Sequence, residues 1–324
     1  MKTYDEWSKI FASQDLYQFN FDDSGILWLK IKSLIRAEIL DFMQHKLEFK
    51  FASKTQAQKF REIYNLVLNG TITHKQINFV LSQYNSDEIK TIEKNFSFIE
   101  SELYKMDYFA WGGDSSNSLD KQIVSFIKEI YKYDEILHKI DNDIAQNVKN
   151  YTLSSWYNNW SAILTEYIFK SHHKVISAVG KIKSVDFFIE NVPVDLKITY
   201  FPKEFLKLQR KQKGLKNELS LLKNIAKQYS LNFDKESKDE ILKYQITQQI
   251  LDSNNVEAIL QLENIKAQNT KIIQETIADK HTLIKWLYEN QGEMRFGSEN
   301  RIFLVLIDLD NLTQSWKLKR NFKL

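Results

Sequence analysis

Apolar positions recur every three or four residues along most of this chain, which is the spacing of one helix face. Residues 26–50, ILWLKIKSLIRAEILDFMQHKLEFK, carry that spacing throughout. The stretches 54–69 and 74–84 read as a helix pair broken at Asn69-Gly70, and 86–106 continues in the same style. WGGDSSNSLD, 111–120, reads as a loop, with Ser118 or Asp120 placed to cap a helix running to about residue 149. Residues 1–150 are therefore expected to be mostly helical. Beyond them Trp156, Trp160, Ile163, Leu164, Tyr167 and Ile168 form one stripe of an amphipathic helix. The period then changes to two. KVISAV, 174–179, has strand composition, and VDFFIENVPVDLKITY, 185–200, alternates as a hairpin does. Residues 203–290 return to helical spacing, and RIFLVLID, 301–308, is a continuous apolar run of the kind buried in a central strand.

The hairpin carries the chemistry. A two-residue turn at Glu190-Asn191 pairs Ile189 with Val192, Phe188 with Pro193, Phe187 with Val194 and Asp186 with Asp195. One face is then wholly apolar, while the other collects Asp186, Phe188, Pro193, Asp195 and Lys197. Opposed residues have Cβ atoms roughly 5 Å apart, so two carboxylates there repel unless a cation separates them. Oxygen ligands of this kind suit Mg²⁺, with Mn²⁺ as a substitute. Lys197 projects beside them, where an ammonium can offset charge on a phosphorus under attack. Glu166 lies at the flank of the preceding helical stripe and supplies a third carboxylate.

Composition narrows the classes. Among 324 residues, 45 basic and 42 acidic side chains give a net charge of +3, which excludes a polycation while leaving room for local basic patches. Cysteine is absent, so disulfides, thiolate zinc sites and a cysteine nucleophile are excluded. The opening MKTYDEWSKIF lacks the apolar run of a signal peptide, and no 18-residue uncharged apolar stretch occurs. A cytoplasmic protein with no membrane partner is expected.

Glu166, Asp186 and Asp195-Leu196-Lys197, in order on a helix and two strands, resemble the PD-(D/E)xK nuclease superfamily, with Val185 in place of the usual proline. Glu48-Phe49-Lys50, Glu88-Ile89-Lys90 and Glu236-Ser237-Lys238 satisfy the same triplet, but none follows an aspartate on a strand. FPKEF at 201–205, QGEMRFGSENRIFLVLID at 291–308 and SWKLKR at 315–320 also look like segments of restriction endonucleases. The resemblance covers roughly 155–324. It implies a mixed α/β (α+β) fold of restriction-endonuclease-like type: a mixed sheet flanked by helices, a helical N-terminal region at 1–150, a nuclease core at 151–324 and a helical insertion at about 203–290. It further implies a Mg²⁺-dependent endonuclease acting on double-stranded DNA, a homodimeric assembly, and a cognate methyltransferase encoded nearby. A partner-activated defence nuclease and a non-cleaving DNA-binding or scaffold module are the competing readings.

Six basic residues against one acid in 203–216 provide a second candidate surface. Lys203, Lys207, Arg210 and Lys211 within it could track a DNA backbone, or simply form a solvated helix face. Arg295 and Arg301 flank the last strand, where bidentate contact to base edges is the functional reading and loop structure the plain one. His172-His173 reads as exposed loop, Gly112-Gly113-Asp114 lacks the lysine of a phosphate-binding loop, and Asp308 and Asp310 end a strand.

Overall fold

The computed structural model describes residues 2–13, 15–34, 36–107, 109, 116–182, 185–233, 239–290 and 300–322. Its N-terminal helices are α1 (Tyr4–Ala12), α2 (Asp23–Ser33), α3 (Ala37–Leu47), α4 (Gln56–Leu68) and α5 (His74–Leu103). Three of them open on a capping box: Thr3 with Glu6, Thr55 with Gln58 and Thr73 with Gln76. Each threonine hydroxyl accepts from an otherwise orphaned helix amide while the Glu or Gln side chain returns to the threonine amide. Gly70, at φ +78°, makes the left-handed turn between α4 and α5. The run 26–50 is two helices rather than one, because Arg36 takes an extended backbone and restarts the chain as α3. Conversely, 74–84 and 86–106 fuse into the 30-residue α5.

Helix α2 is buried on all sides from Ser24 to Ile31, including Lys30. Such a helix belongs in a core rather than on a surface. Gly25 lets α1 approach it closely, since a Cβ there would stand 2.7 Å from a ring carbon of Trp7.

Next come α6 (Ser116–Glu129), α7 (Tyr133–Lys139), a π-helical turn at Ile140–Ile144 and α8 (Ala145–Lys170). The buried line of α8 runs through Ser154, Tyr157, Ser161, Leu164 and Thr165, whereas Ile168 is exposed. It is rotated from the stripe of large apolar residues because α8 packs against α5, and small side chains permit that approach. The Ser161 and Thr165 hydroxyls donate back to the carbonyls of Tyr157 and Ser161, so neither is left unsatisfied.

A four-stranded mixed sheet follows, in the order β1 (Val175–Ile182), β2 (Val185–Ile189), β3 (Val192–Tyr200) and β4 (Asn300–Leu306). The first two pairs are antiparallel. The expectation of a buried central strand at 301–308 is corrected: β4 ends the strand order, and all its residues are only partly buried. A hydrophobic run alone does not distinguish a centre from an edge. Beyond β4, Arg320 in the 3₁₀ segment Leu312–Arg320 donates to the carbonyls of Leu103, Tyr104 and Met106 at 3.1, 3.3 and 2.8 Å. It thereby satisfies and neutralises the negative end of α5.

The chain forms two compact units. The first, Met1–Ile198 with Arg295–Leu304 and Thr313–Leu324, holds the N-terminal helices and the hairpin. The second, Thr199–Met294 with Val305–Leu312, takes in the helices between β3 and β4 together with the end of β4 and the turn after it. It contains α9 (Lys203–Gln212), α10 (Glu218–Gln228), α11 (Asp239–Asp252), α12 (Val256–Ala278) and α13 (His281–Asn290). Leu222, Ile225, Leu242, Ile246, Ile250 and Leu262 build its own core. No helix among the described residues is long and apolar enough to cross a membrane.

Candidate active site

The hairpin has the register that its alternation predicts: Ile189 pairs with Val192, Phe188 with Pro193 and Phe187 with Val194. Glu190 turns the chain in the left-handed region at φ +56°. Two ties hold the turn from the residue just before β1, the Glu190 amide to the Lys174 carbonyl at 2.8 Å and the Lys174–Glu190 ion pair at 3.0 Å. Both hairpin faces are covered near this end. Phe188 joins the core of the N-terminal helices, while Phe187, Val194 and Leu196 form a separate cluster with Phe169, Ile302 and Leu304 around it. The face that carries the acids is thus solvated only in part, which the alternation alone does not reveal.

Past Phe187 and Val194 the acids take over from the ladder. Asp186 Oδ2 accepts the Leu196 amide at 2.7 Å, so a backbone donor fixes that carboxylate. Burial raises the Asp186 pKa, the Leu196 amide opposes the rise, and the nearby charges of Glu166 and Asp195 add to it while Lys197 pulls it down. Asp195 is 2% exposed and holds a cation on each oxygen: Lys197 Nζ at 2.6 Å from Oδ1 and Arg301 Nε at 3.0 Å from Oδ2. The two cations differ in setting. The Arg301 side chain is 6% exposed and that of Lys197 43%, so the lysine opens to solvent and the arginine does not. Glu166 stands on α8 and pairs with Lys170 at 2.6 Å. The Asn300 side-chain amide donates to the Pro193 carbonyl at 3.1 Å and to Asn20 at 3.0 Å, fastening the start of β4 to β3.

The donor set is oxygen-only, as a hard divalent cation requires. Asp186 Oδ1 and Glu166 Oε1 have no hydrogen bond among the described residues. The mutual repulsion acting on Asp186 is what a cation would relieve. These residues fit Mg²⁺ in chemistry. Yet among the described residues no three His, Cys, Asp or Glu side chains are gathered closely enough to form a ready cage. Any cation shares Asp195 with Lys197 and Arg301.

The remaining sequence candidates fall elsewhere. Arg301 meets Asp195 instead of facing outward as a base-reading side chain would, and its position at the start of β4 was the available signal. Lys203, Lys207 and Lys211 lie on α9 in the second unit, with Lys207 paired to Glu204 at 2.7 Å. Arg210 leaves that basic face: it is 2% exposed and donates to the Lys216 carbonyl, Asn269 and Gln268 at 3.0, 2.6 and 3.0 Å. Its spacing from Leu206, also buried, puts it on the inner side of the helix. Arg295 lies outside the described residues, as does the rest of 291–299. Asp308 Oδ1 accepts the amides of Asp310 and Asn311, which makes it a turn former. Of the competing triplets, Glu48 begins the exit from α3 at φ +53°, Glu88 and Lys90 lie within α5, and 236–238 lie outside the described residues. Sequence reasoning missed Lys30, the one charged residue in the stretch ILWLKI.

The chain matches no protein-family model, no curated protein and no solved structure.

Proposed function

We propose that this protein is a Mg²⁺-dependent endonuclease that hydrolyses phosphodiester bonds of double-stranded DNA, with sequence-specific restriction of foreign DNA as its role. The observation that carries the reading is one buried aspartate, Asp195, set beside a second, Asp186, and capped by a lysine that faces solvent. A packing role does not call for that combination, because opposed acids cost stability.

In this reading Asp186 and Asp195 hold the cation, with Glu166 supporting it or a second ion. Bound there, the cation supplies Lewis acidity and lowers the pKa of a water. Leu196 fixes Asp186 through its amide, and Arg301 fixes Asp195 from the solvent-shielded side. Lys197 reaches toward solvent, where its ammonium offsets charge developing on phosphorus as water attacks and the leaving oxygen departs. Lys203, Lys207 and Lys211 are proposed backbone contacts. Cutting both strands calls for two such sites and so for a homodimer, with a methyltransferase protecting the host sequence.

Purified protein with plasmid and Mg²⁺ tests this. Wild type should cut, Mn²⁺ should replace Mg²⁺, and D195A and K197A should be inert. Discrete bands support restriction, and a smear supports a weakly specific defence nuclease. Intact plasmid with wild-type protein, across varied plasmid sequences, would leave the non-cleaving binding module as the better reading.

A further inference from the structure

Lys30 has no exposed surface, yet its ammonium has no carboxylate within 4 Å among the described residues. Its partners are two neutral amide oxygens, each at 2.8 Å: Asn78 Oδ1 on α5 and Asn191 Oδ1 at the hairpin turn. The ammonium also stands 5.3 Å from the centre of the Phe188 ring. Phe188 shares its strand face with Asp186, two residues away. A charge buried this way costs stability, and an apolar side chain of similar length usually serves a core as well or better. What the lysine adds is specificity of place. It ties one helix, a second helix and one particular turn residue to a single point.

That point decides the register. A slip of one residue between β2 and β3 would carry Asn191 away from Lys30 and set Asp186 against Leu196, dispersing the acids. The turn has an intrinsic reason to shift, since Glu190 occupies a left-handed backbone that a non-glycine residue disfavours. The other ties on the turn come from Lys174, at the foot of the neighbouring strand β1, and one of them is an exposed ion pair, so neither anchors the hairpin to the helices.

We infer that Lys30 is a positioning residue that locks the Glu190-Asn191 turn onto α2 and α5 and so keeps Asp186, Asp195 and Lys197 in register. The inference rests on the nuclease reading for its consequence in catalysis, but not for its claim about the hairpin.

The test compares K30M, N191A and N191D with wild type by amide hydrogen exchange, thermal unfolding and Mg²⁺-dependent plasmid cleavage. K30M and N191A should exchange at least tenfold faster across 187–197, with the unfolding temperature of K30M level or raised and that of N191A lowered, because N191A strips a partner from a buried ammonium. Their kcat should drop at least tenfold with little change in KM for DNA. N191D, which gives Lys30 a counter-charge in the same place, should keep wild-type protection and cleavage. Unchanged exchange in the hairpin of both K30M and N191A would overturn the inference, as would faster exchange spread evenly over the first unit. Should K30M fail to fold, N191A decides alone, because it alters a surface turn. Should wild type not cleave DNA, the nuclease reading falls while the exchange result still decides the lock.

Discussion

Replacing Arg301 with alanine separates the two cations that share Asp195. The arginine side chain is 6% exposed and the aspartate 2%, with Nε at 3.0 Å from Oδ2. Removing one partner of a buried ion pair costs about 3–5 kcal/mol, mostly because the other charge stays behind unpaired. Lys197 remains on Oδ1 at 2.6 Å, which places R301A near the lower end, at about 3 kcal/mol. K197A removes an ammonium whose side chain is 43% exposed. An ion pair open to solvent contributes about 0–1 kcal/mol, and Arg301 still neutralises the aspartate. Urea unfolding of both variants checks this. With a slope of about 3 kcal/mol per molar urea, R301A should lower the midpoint by about 1 M and K197A by a third of that or less. In cleavage the order reverses: K197A should be inert, while R301A should keep measurable activity at temperatures where it is folded. Equal loss of stability in the two variants would refute the assignment of structural and chemical roles.

Burial lowers the pKa of Lys30 and of Lys319 to about 8. Between pH 8 and the ordinary lysine value the unfolded chain holds protons that the folded chain lacks, so stability rises with pH. Below pH 8 the penalty is present in full. The wild-type midpoint should climb from pH 8 to about 9.5, by up to about 1.4 kcal/mol per pH unit for each lysine, and K30M should lose one share of that slope. Asp23 and His74 are the groups whose charges act on or with Lys30, and burial holds the His74 pKa at about 4, well below this range. Gly25→Ala should cost about 1–3 kcal/mol, because its Cβ would meet Trp7 at 2.7 Å; calorimetry should show recovery when Trp7→Leu is added. Arg210→Met should destabilise the second unit without altering the salt dependence of DNA binding. Loss of the exposed Lys211 should do the opposite, reducing the salt slope by about one ion.

Legibility followed the physics of period. A two-residue alternation fixes which side chains oppose one another, so the hairpin register was readable from the turn as far as Phe187 and Val194; beyond them Asp186 accepts the Leu196 amide, which alternation does not foretell. The capping threonines are local signals too, although the break at Arg36 has no glycine or proline to announce it. What was not readable is burial imposed from elsewhere in the chain. Lys30 reads as an ordinary surface lysine of an amphipathic helix until α2 is seen to be enclosed. Arg210 and Lys211 are adjacent in sequence, and only the direction of α9 sends one inward. Arg301 reads as a nucleic-acid contact because nothing in its neighbourhood names Asp195, 106 residues earlier, as its partner.

The connection between β3 and β4 leaves at Tyr200 and returns at Asn300, and the two strands are neighbours in the sheet. The Asn300 side chain meets the Pro193 carbonyl near the start of β3, so the two strands run parallel and the crossover spans the length of β3, roughly 20 Å. A module attached this way is a cassette. Sequence can be added to it, or the whole exchanged for another crossover of a dozen or more residues, without re-pairing a single strand. The hairpin bearing Asp186, Asp195 and Lys197 and the edge strand bearing Arg301 both belong to the recipient side of that graft. Chemistry and whatever the cassette contacts are thus free to diverge at different rates, and a chimera carrying a foreign crossover is a practical way to see which properties travel with it.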